Sequence, residues 1–179
     1  KMGRFLAPYD DIHGIFGNDS TYSSSILSTA ALWAQGFAGQ PESGGFDDRL
    51  QKSIRYDTPN ISGFRAAGQF ATNAGSPSSN SNNQSYFVGY KNGPANFGIG
   101  YELHHNIRGT ASSPLTDKAF SVAGLWQFSQ FNIAGVYEKL KYEVQNGSAV
   151  NDLKRDFWAV SSHIKVGANG TVFLFWGTA

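Results

Sequence analysis

Three pairs of identical adjacent residues could carry catalytic or metal-binding chemistry: Asp10-Asp11, Asp47-Asp48 and His104-His105. Paired carboxylates can serve as the acid and base of a glycosidase, and carboxylates with histidines can hold a metal ion. Adjacent residues of a strand, however, face opposite sides, and no set of histidines at metal-ligand spacing accompanies the acidic pairs. Gly-x-Ser-x-Gly, His-Glu-x-x-His and phosphate-loop motifs do not occur. The sequence therefore predicts no enzyme, no catalytic residue, no metal and no cofactor.

Charged residues at a spacing of two suggest different chemistry, the sorting of solutes by charge in a narrow aqueous gap. Arg49, Arg55 and Asp57 would share one face of an extended strand, and Arg4 would point the same way from an earlier one. A basic wall opposite an acidic loop sets up a field across the gap between them. The residues predicted to line this gap are Arg4, Asp11, Glu42, Asp47, Arg49 and Arg55. The alternative is that they are ordinary solvated residues or, for the acids, members of local pairs.

The elements that position these charges are predicted to be β-strands, because apolar residues recur at every second position. Phe97, Ile99 and Tyr101 would lie on one face of a strand, and Gly98 and Gly100 on the other. The same alternation recurs in residues 118–128. A soluble sandwich buries its bulky face in a core, whereas a transmembrane barrel turns that face to lipid and its small, polar face to a watery lumen.

The small face decides between these two folds. Glycine, alanine and serine on that face are too small and polar to close a second layer, which favours an antiparallel transmembrane β-barrel. Aromatic rings near strand ends suit the boundary between membrane and water. The aromatic residues predicted to face lipid are Tyr86, Tyr90, Tyr101, Trp126, Tyr137 and Trp158.

Composition is consistent with this fold and limits the partners. The chain has 179 residues with a formal net charge of +1, so charge gives no argument for a nucleic-acid partner. Cysteine is absent, which excludes disulfides and thiolate metal sites. No apolar run approaches the roughly 20 residues that a membrane helix requires, but barrel strands need only about 9–11 residues.

The chain divides into three regions. Residues 1–8 are predicted to be the end of a strand, residues 9–46 a long loop, and residues 47–179 paired antiparallel strands, with short turns alternating with longer loops. One of these loops is predicted over residues 146–151, and the count is roughly nine strands. Because both ends of the sequence read as strand, we expect an internal segment of a longer polypeptide.

Residues 55–64, with the sequence Arg-Tyr-Asp-Thr-Pro-Asn-Ile-Ser-Gly-Phe, carry a resemblance to a known family. This segment resembles the strand-turn-strand signature of the general diffusion porins of Gram-negative bacteria, in their betaproteobacterial branch. Gly3-Arg4 and the long stretch 9–46 are similar to the strand and inward-folded constriction loop of that family, and Arg49 to its pore-facing basic residue after that loop.

The resemblance implies an all-β, 16-stranded barrel that assembles as a homotrimer in the bacterial outer membrane. It also implies a passive, water-filled channel for ions and small hydrophilic solutes, with membrane lipid around it. One alternative is a soluble carbohydrate-binding β-sandwich, whose aromatic residues would stack on sugars. Another is a barrel hydrolase, which would need a Ser–His pair that the sequence does not reveal.

Overall fold

A single antiparallel sheet organises the described part of the chain. The computed structural model describes residues 1–16, 45–46, 48–72, 80–107, 109–110, 112–146, 148–168 and 170–178. Within these residues nine strands pair in sequence order, each with the next. The strands are β1 (Met2–Leu6), β2 (Arg49–Asp57), β3 (Phe64–Thr72), β4 (Asn82–Asn92), β5 (Ala95–His105), β6 (Thr116–Gln127), β7 (Asn132–Asn146), β8 (Ala149–Val166) and β9 (Gly170–Thr178).

The predicted antiparallel barrel strands are confirmed, and the sandwich is not. A β-sandwich requires two packed sheets, whereas the described strands all belong to one sheet. The alternative of a soluble sandwich is therefore wrong. No helix in the described ranges is long and apolar enough to cross a bilayer.

The two faces of the sheet differ in side-chain size, as the alternation predicted. On β5, Phe97 and Ile99 are 44% and 51% exposed on what we call the outer face. Gly98 and Gly100 lie on the opposite, inner face, where they pair with Ala123 and with a serine of β6. Bulky residues therefore cover the outside of the sheet, and small residues leave room on its inside.

The predicted loop over residues 146–151 is wrong. β7 continues to Asn146 and β8 begins at Ala149, so only residues 147–148 connect them. Cross-strand pairs such as Glu143 with Asp152 extend the ladder into the predicted loop, and Lys141 stabilises this extension through an ion pair with Asp152, 3.0 Å between Nζ and Oδ1. The polar composition of this ribbon resembles that of a loop, although its backbone is paired.

A bulge at Lys52 interrupts the alternation of β2. Gly3 pairs with Ser53 and Phe5 with Leu50, so β2 has one extra residue between these two pairs. Lys52 takes up the irregularity in a left-handed conformation, with φ of 49°. An extra residue shifts the facing of every side chain beyond it.

A short segment between β1 and β2 packs on the inner face of the sheet. A 3₁₀ helix (Pro8–Ile12) runs directly into the one-turn helix α1 (His13–Phe16), and we call residues 8–16 the inserted segment. Its apolar side chains are nearly inaccessible to solvent and join one core with residues of β4 and β7; they are Tyr9, Ile12, Ile15 and Phe16. Burying each such side chain stabilises the packing by about 1.5–3 kcal/mol.

Glycines on β5 make this close packing possible. A Cβ atom at Gly98 would clash with Ile15 Cδ1 and lie 2.8 Å from Phe87 Cε2, and one at Gly100 would lie 3.0 Å from Ile12 Cγ1. Both glycines therefore leave space that the two isoleucines fill.

We expect Gly98→Val to destabilise the protein by about 1–3 kcal/mol, because the new side chain overpacks the contact with Ile15 and Phe87. The measurement is the midpoint of thermal unfolding in detergent, followed by loss of the β-sheet circular dichroism. Gly135→Val is the matched control, since the nearest atom to a Cβ there is 3.8 Å away. Equal midpoints for the two variants would contradict the packing described here.

Candidate functional site

The inserted segment places one carboxylate in front of two arginines of the wall. Asp11 Oδ2 lies 3.3 Å from Arg55 Nη2 and 3.4 Å from Arg65 Nη1. Asp11 belongs to the 3₁₀ helix, Arg55 to β2 and Arg65 to the neighbouring strand β3. The three side chains thus bridge the space between the inserted segment and the inner face.

Other contacts fix the orientation of the two guanidinium groups. Arg55 donates to the carbonyl of Leu6 (2.8 Å) and pairs with Asp57 Oδ1 (2.7 Å). The guanidinium carbon of Arg65 stands 4.6 Å from the ring centroid of Phe87, a cation–π arrangement. Both positive charges are therefore held at defined points of the inner face.

Asp11 is less acidic than an ordinary aspartate. Its burial raises its pKa, and the nearby Asp10 adds to the rise, while the charges of Arg55 and Arg65 act in the opposite direction. Burial has the larger effect because it penalises the charged form of the carboxyl group. The negative charge in front of the two arginines is therefore lost at a higher pH than the charge of an ordinary aspartate.

A buried tyrosine anchors the inserted segment to the wall. The Tyr9 hydroxyl donates to Glu138 Oε2 (2.8 Å), and the Tyr9 backbone N–H donates to Ser85 Oγ (2.9 Å). Burial, assisted by the charge of Glu138, raises the pKa of the Tyr9 phenol well above its ordinary value. The phenol thus stays protonated and remains a donor.

A second polar contact lies beside this anchor. His104 Nε2 is 2.7 Å from Glu102 Oε1, and both side chains are almost fully buried. The ring of Phe46 stacks on the His104 imidazole with 4.4 Å between centroids. Phe46, at the end of the long loop, thereby covers a polar part of the inner face.

The structure brings only two of the predicted gap-lining residues together, Asp11 and Arg55. Glu42 and Asp47 lie outside the described residues. The prediction for Arg49 is wrong, because the bulge at Lys52 changes the facing of the first residues of β2. Leu50 is 4% exposed and joins the inner core, so its neighbour Arg49 lies on the outer face.

The prediction for Arg4 is also wrong, because β1 turns this residue to the outer face. The residues on either side of it, Gly3 and Phe5, pair with the inner-face residues Ser53 and Leu50. Arg4 is exposed and lies between them on the opposite, outer face. Two of the three predicted arginines thus lie on the outer face, Arg49 because of the bulge in β2 and Arg4 because of the facing of β1.

Several residues of the site were not among those predicted. The sequence pattern places Arg65 on the inner side of its strand with Ala67 and Gln69, as the structure does, but Arg65 was not included among the gap-lining residues. Tyr9 and Glu138 are 129 residues apart in sequence, and no local pattern connects them. Among the described residues, no group of three or more histidine, aspartate and glutamate side chains is arranged to hold a metal ion.

The six aromatic residues predicted to face lipid all lie on the outer face. Tyr86 pairs with Tyr101 and Tyr137 pairs with Trp158 across neighbouring strands, nearer one end of the sheet. Tyr90 and Trp126 lie nearer the other end, where Tyr90 pairs with Phe97. Their contact with lipid stays a prediction.

Comparison with known proteins identifies the family. A sequence model of the Gram-negative porin family matches residues 1–179. The fold is similar to a solved structure, an anion-selective porin from Comamonas acidovorans, with a TM-score of 0.69 and 19% sequence identity. The match covers 98% of this chain and 52% of that one, so the chain spans about half the length of the solved porin. No curated protein sequence matches the chain.

These findings agree with the two-faced antiparallel sheet, whose bulky outer face suits a lipid surrounding. They indicate a β-barrel of the bacterial outer membrane, and the nine described strands do not close that barrel. With a family match over its whole length, the chain belongs to the Gram-negative porin family.

Proposed function

We propose that the chain forms part of the wall of a passive, water-filled channel for ions and small hydrophilic solutes. The observation that carries the proposal is the position of Asp11, 3.3–3.4 Å from two arginines that project from the inner face. Fixed charges of opposite sign on two sides of a narrow wet passage orient water and act on passing ions. We call Asp11, Arg55 and Arg65 the constriction.

We further propose that the constriction favours anions. Two guanidinium groups face one carboxylate, and the raised pKa of Asp11 makes that carboxylate the easier charge to lose. Asp57 is already engaged by Arg55 and by Lys1, whose Nζ is 3.6 Å from Asp57 Oδ2. The solved porin from Comamonas acidovorans is described as anion-selective, which supports the same preference.

The remaining functional expectations follow from the family. The porin family and its fold support a channel rather than an enzyme, and the proposed mechanism requires no cofactor. Assembly as a homotrimer stays a prediction from the family resemblance. So does a role for Glu42 and Asp47 at the constriction.

Replacing both arginines with glutamine (Arg55→Gln with Arg65→Gln) is expected to move ion selectivity towards cations. A unit charge about 4 Å from an ion contributes about 1 kcal/mol in water, so the permeability ratio should change about fivefold for each arginine removed. The measurement is the reversal potential of the intact porin in a planar bilayer under a salt gradient.

Arg49→Gln is the matched control for this experiment. It removes the same charge from the same strand as Arg55, but from the outer face. We expect it to leave the reversal potential unchanged. A shift for Arg49→Gln as large as for Arg55→Gln would contradict the assignment of the constriction.

Acidification is expected to increase the preference for anions. As the pH falls through the raised pKa of Asp11, its carboxylate takes up a proton and the two arginines face a neutral group. The shift in reversal potential should begin above the ordinary aspartate pKa of 3.8 and approach fivefold in permeability ratio. The measurement is the reversal potential at stepwise lower pH.

Asp11→Asn should remove this pH response and show the acid-like preference already at neutral pH. Asp156→Asn is the control, because Asp156 lies on the outer face, where it accepts a hydrogen bond from Tyr137. It should keep the wild-type response. If Asp11→Asn retained the wild-type pH profile, another group would be responsible for it.

A further inference from the structure

The outer face of β6 and β7 changes from apolar to basic between two successive outer-face residues of each strand. In the direction of the longer connections, the next outer-face residue after Phe120 on β6 is Lys118, and the next after Tyr137 on β7 is Lys139. Trp158 of β8 lies beside Tyr137 as its cross-strand partner. An aromatic boundary is therefore followed directly by cationic side chains.

Three lysines lie side by side on the outer faces of β6, β7 and β8. Lys118 pairs directly with Lys141, and Lys141 pairs directly with Lys154; we call these three residues the lysine row. Like charges directly opposite each other destabilise a sheet. A row of three lysines in register is thus unfavourable unless negative charge compensates it.

The sheet itself supplies compensation mainly to the central lysine. Lys141 Nζ lies 3.0 Å from Asp152 Oδ1 and 3.7 Å from Glu143 Oε1. In the described part of the chain, Lys118 and Lys154 form no ion pair with a carboxylate. The two flanking ammonium groups remain available to an external anion.

The other nearby acids are engaged in local contacts. Asp156 accepts a hydrogen bond from the Tyr137 hydroxyl (2.6 Å), and Glu143 accepts one from the backbone N–H of Thr116 (2.8 Å). Asp156 thus holds the Tyr137 hydroxyl of the aromatic boundary, and Glu143 holds the backbone at the start of β6. Among the described residues, neither forms an ion pair with Lys118.

The length of the strands indicates where the row lies relative to the membrane. β7 has 15 residues and β8 has 18, whereas about 9–11 residues suffice to cross a bilayer. The charged ends of both strands therefore extend past the hydrocarbon region. They do so at the end of the sheet with the longer connections 73–81 and 106–115, which faces outwards in outer-membrane barrels.

We propose that the lysine row binds the phosphate groups of an anionic lipid headgroup in the outer leaflet. Neighbouring strands are about 4.8 Å apart, so the row spans about 10 Å, a distance that suits a headgroup with two phosphates. Ammonium groups are established phosphate ligands. The apolar band directly below the row would hold the acyl chains of the same lipid, which favours a lipid over an acidic protein. This inference depends on the membrane location and not on the channel function.

The test measures binding of bisphosphorylated lipid A to the intact porin in neutral detergent by native mass spectrometry. In the double variant Lys118→Gln with Lys154→Gln, we expect the affinity for this lipid to fall about thirtyfold, five- to sixfold for each lysine. Phosphatidylcholine should bind equally to wild type and variant. The single-channel conductance should not change, which separates a failure of this proposal from a failure of the channel function.

The matched control is Lys91→Gln with Lys165→Gln, which removes the same charge from the inner face near the short turns. It should retain the wild-type affinity for lipid A. The proposal is overturned if both double variants lose affinity equally, if the row variant loses none, or if inorganic phosphate at equal concentration displaces the lipid. Should the row variant fail to fold, wild-type protein must still bind bisphosphorylated lipid A more tightly than the monophosphorylated form; equal binding would overturn the proposal.

Discussion

The constriction depends on the packing of two isoleucines against a bare strand of the wall. Ile12 and Ile15 fill the space above Gly98 and Gly100, and this contact sets how deeply the inserted segment lies on the sheet. Asp11 precedes Ile12 in the same 3₁₀ helix, so its carboxylate reaches the arginines only while that packing holds. Hydrophobic burial supplies the free energy, and the charged contact is its consequence, because the desolvation of a partly buried ion pair offsets much of its attraction.

Polar groups then make the docking specific. A purely apolar contact could slide along the inner face, but Tyr9 must reach Glu138 across the barrel interior and its backbone N–H must reach Ser85. Carboxylates buried without a donor would be costly, and the phenol supplies one at Glu138. The docking therefore benefits both parts: the inserted segment gains a defined position, and the inward-facing Glu138 of the wall gains a hydrogen-bond donor.

Apart from the paired ends of β7 and β8, the sequence was sufficient to predict the strands but not all of their facings. Period-two alternation identified the inner and outer faces of β4 to β7, because no insertion interrupts it there. It failed on β2, where Lys52 adopts a left-handed conformation that no residue type in the sequence announces. The bulge reversed Arg49, whereas Arg55 lies beyond it and faces inwards. Arg4 belongs to β1, whose inner residues are Gly3 and Phe5 and not, as predicted, Arg4. The contacts of Tyr9 with Glu138 and of Asp11 with Arg65 join distant parts of the chain, so a local pattern could not reveal them.

The small net charge of +1 conceals a strong separation of charge. On the inner face, the carboxylates of Glu102 and Glu138 are buried, whereas the side chains of Arg65 and Asp57 remain partly exposed. On the outer face, lysines begin where the aromatic boundary ends. The two sets are separated by one layer of backbone and lie on opposite faces of the sheet. The same alternation that separates large from small side chains therefore also separates the charges of the proposed constriction from those of the proposed lipid-binding row.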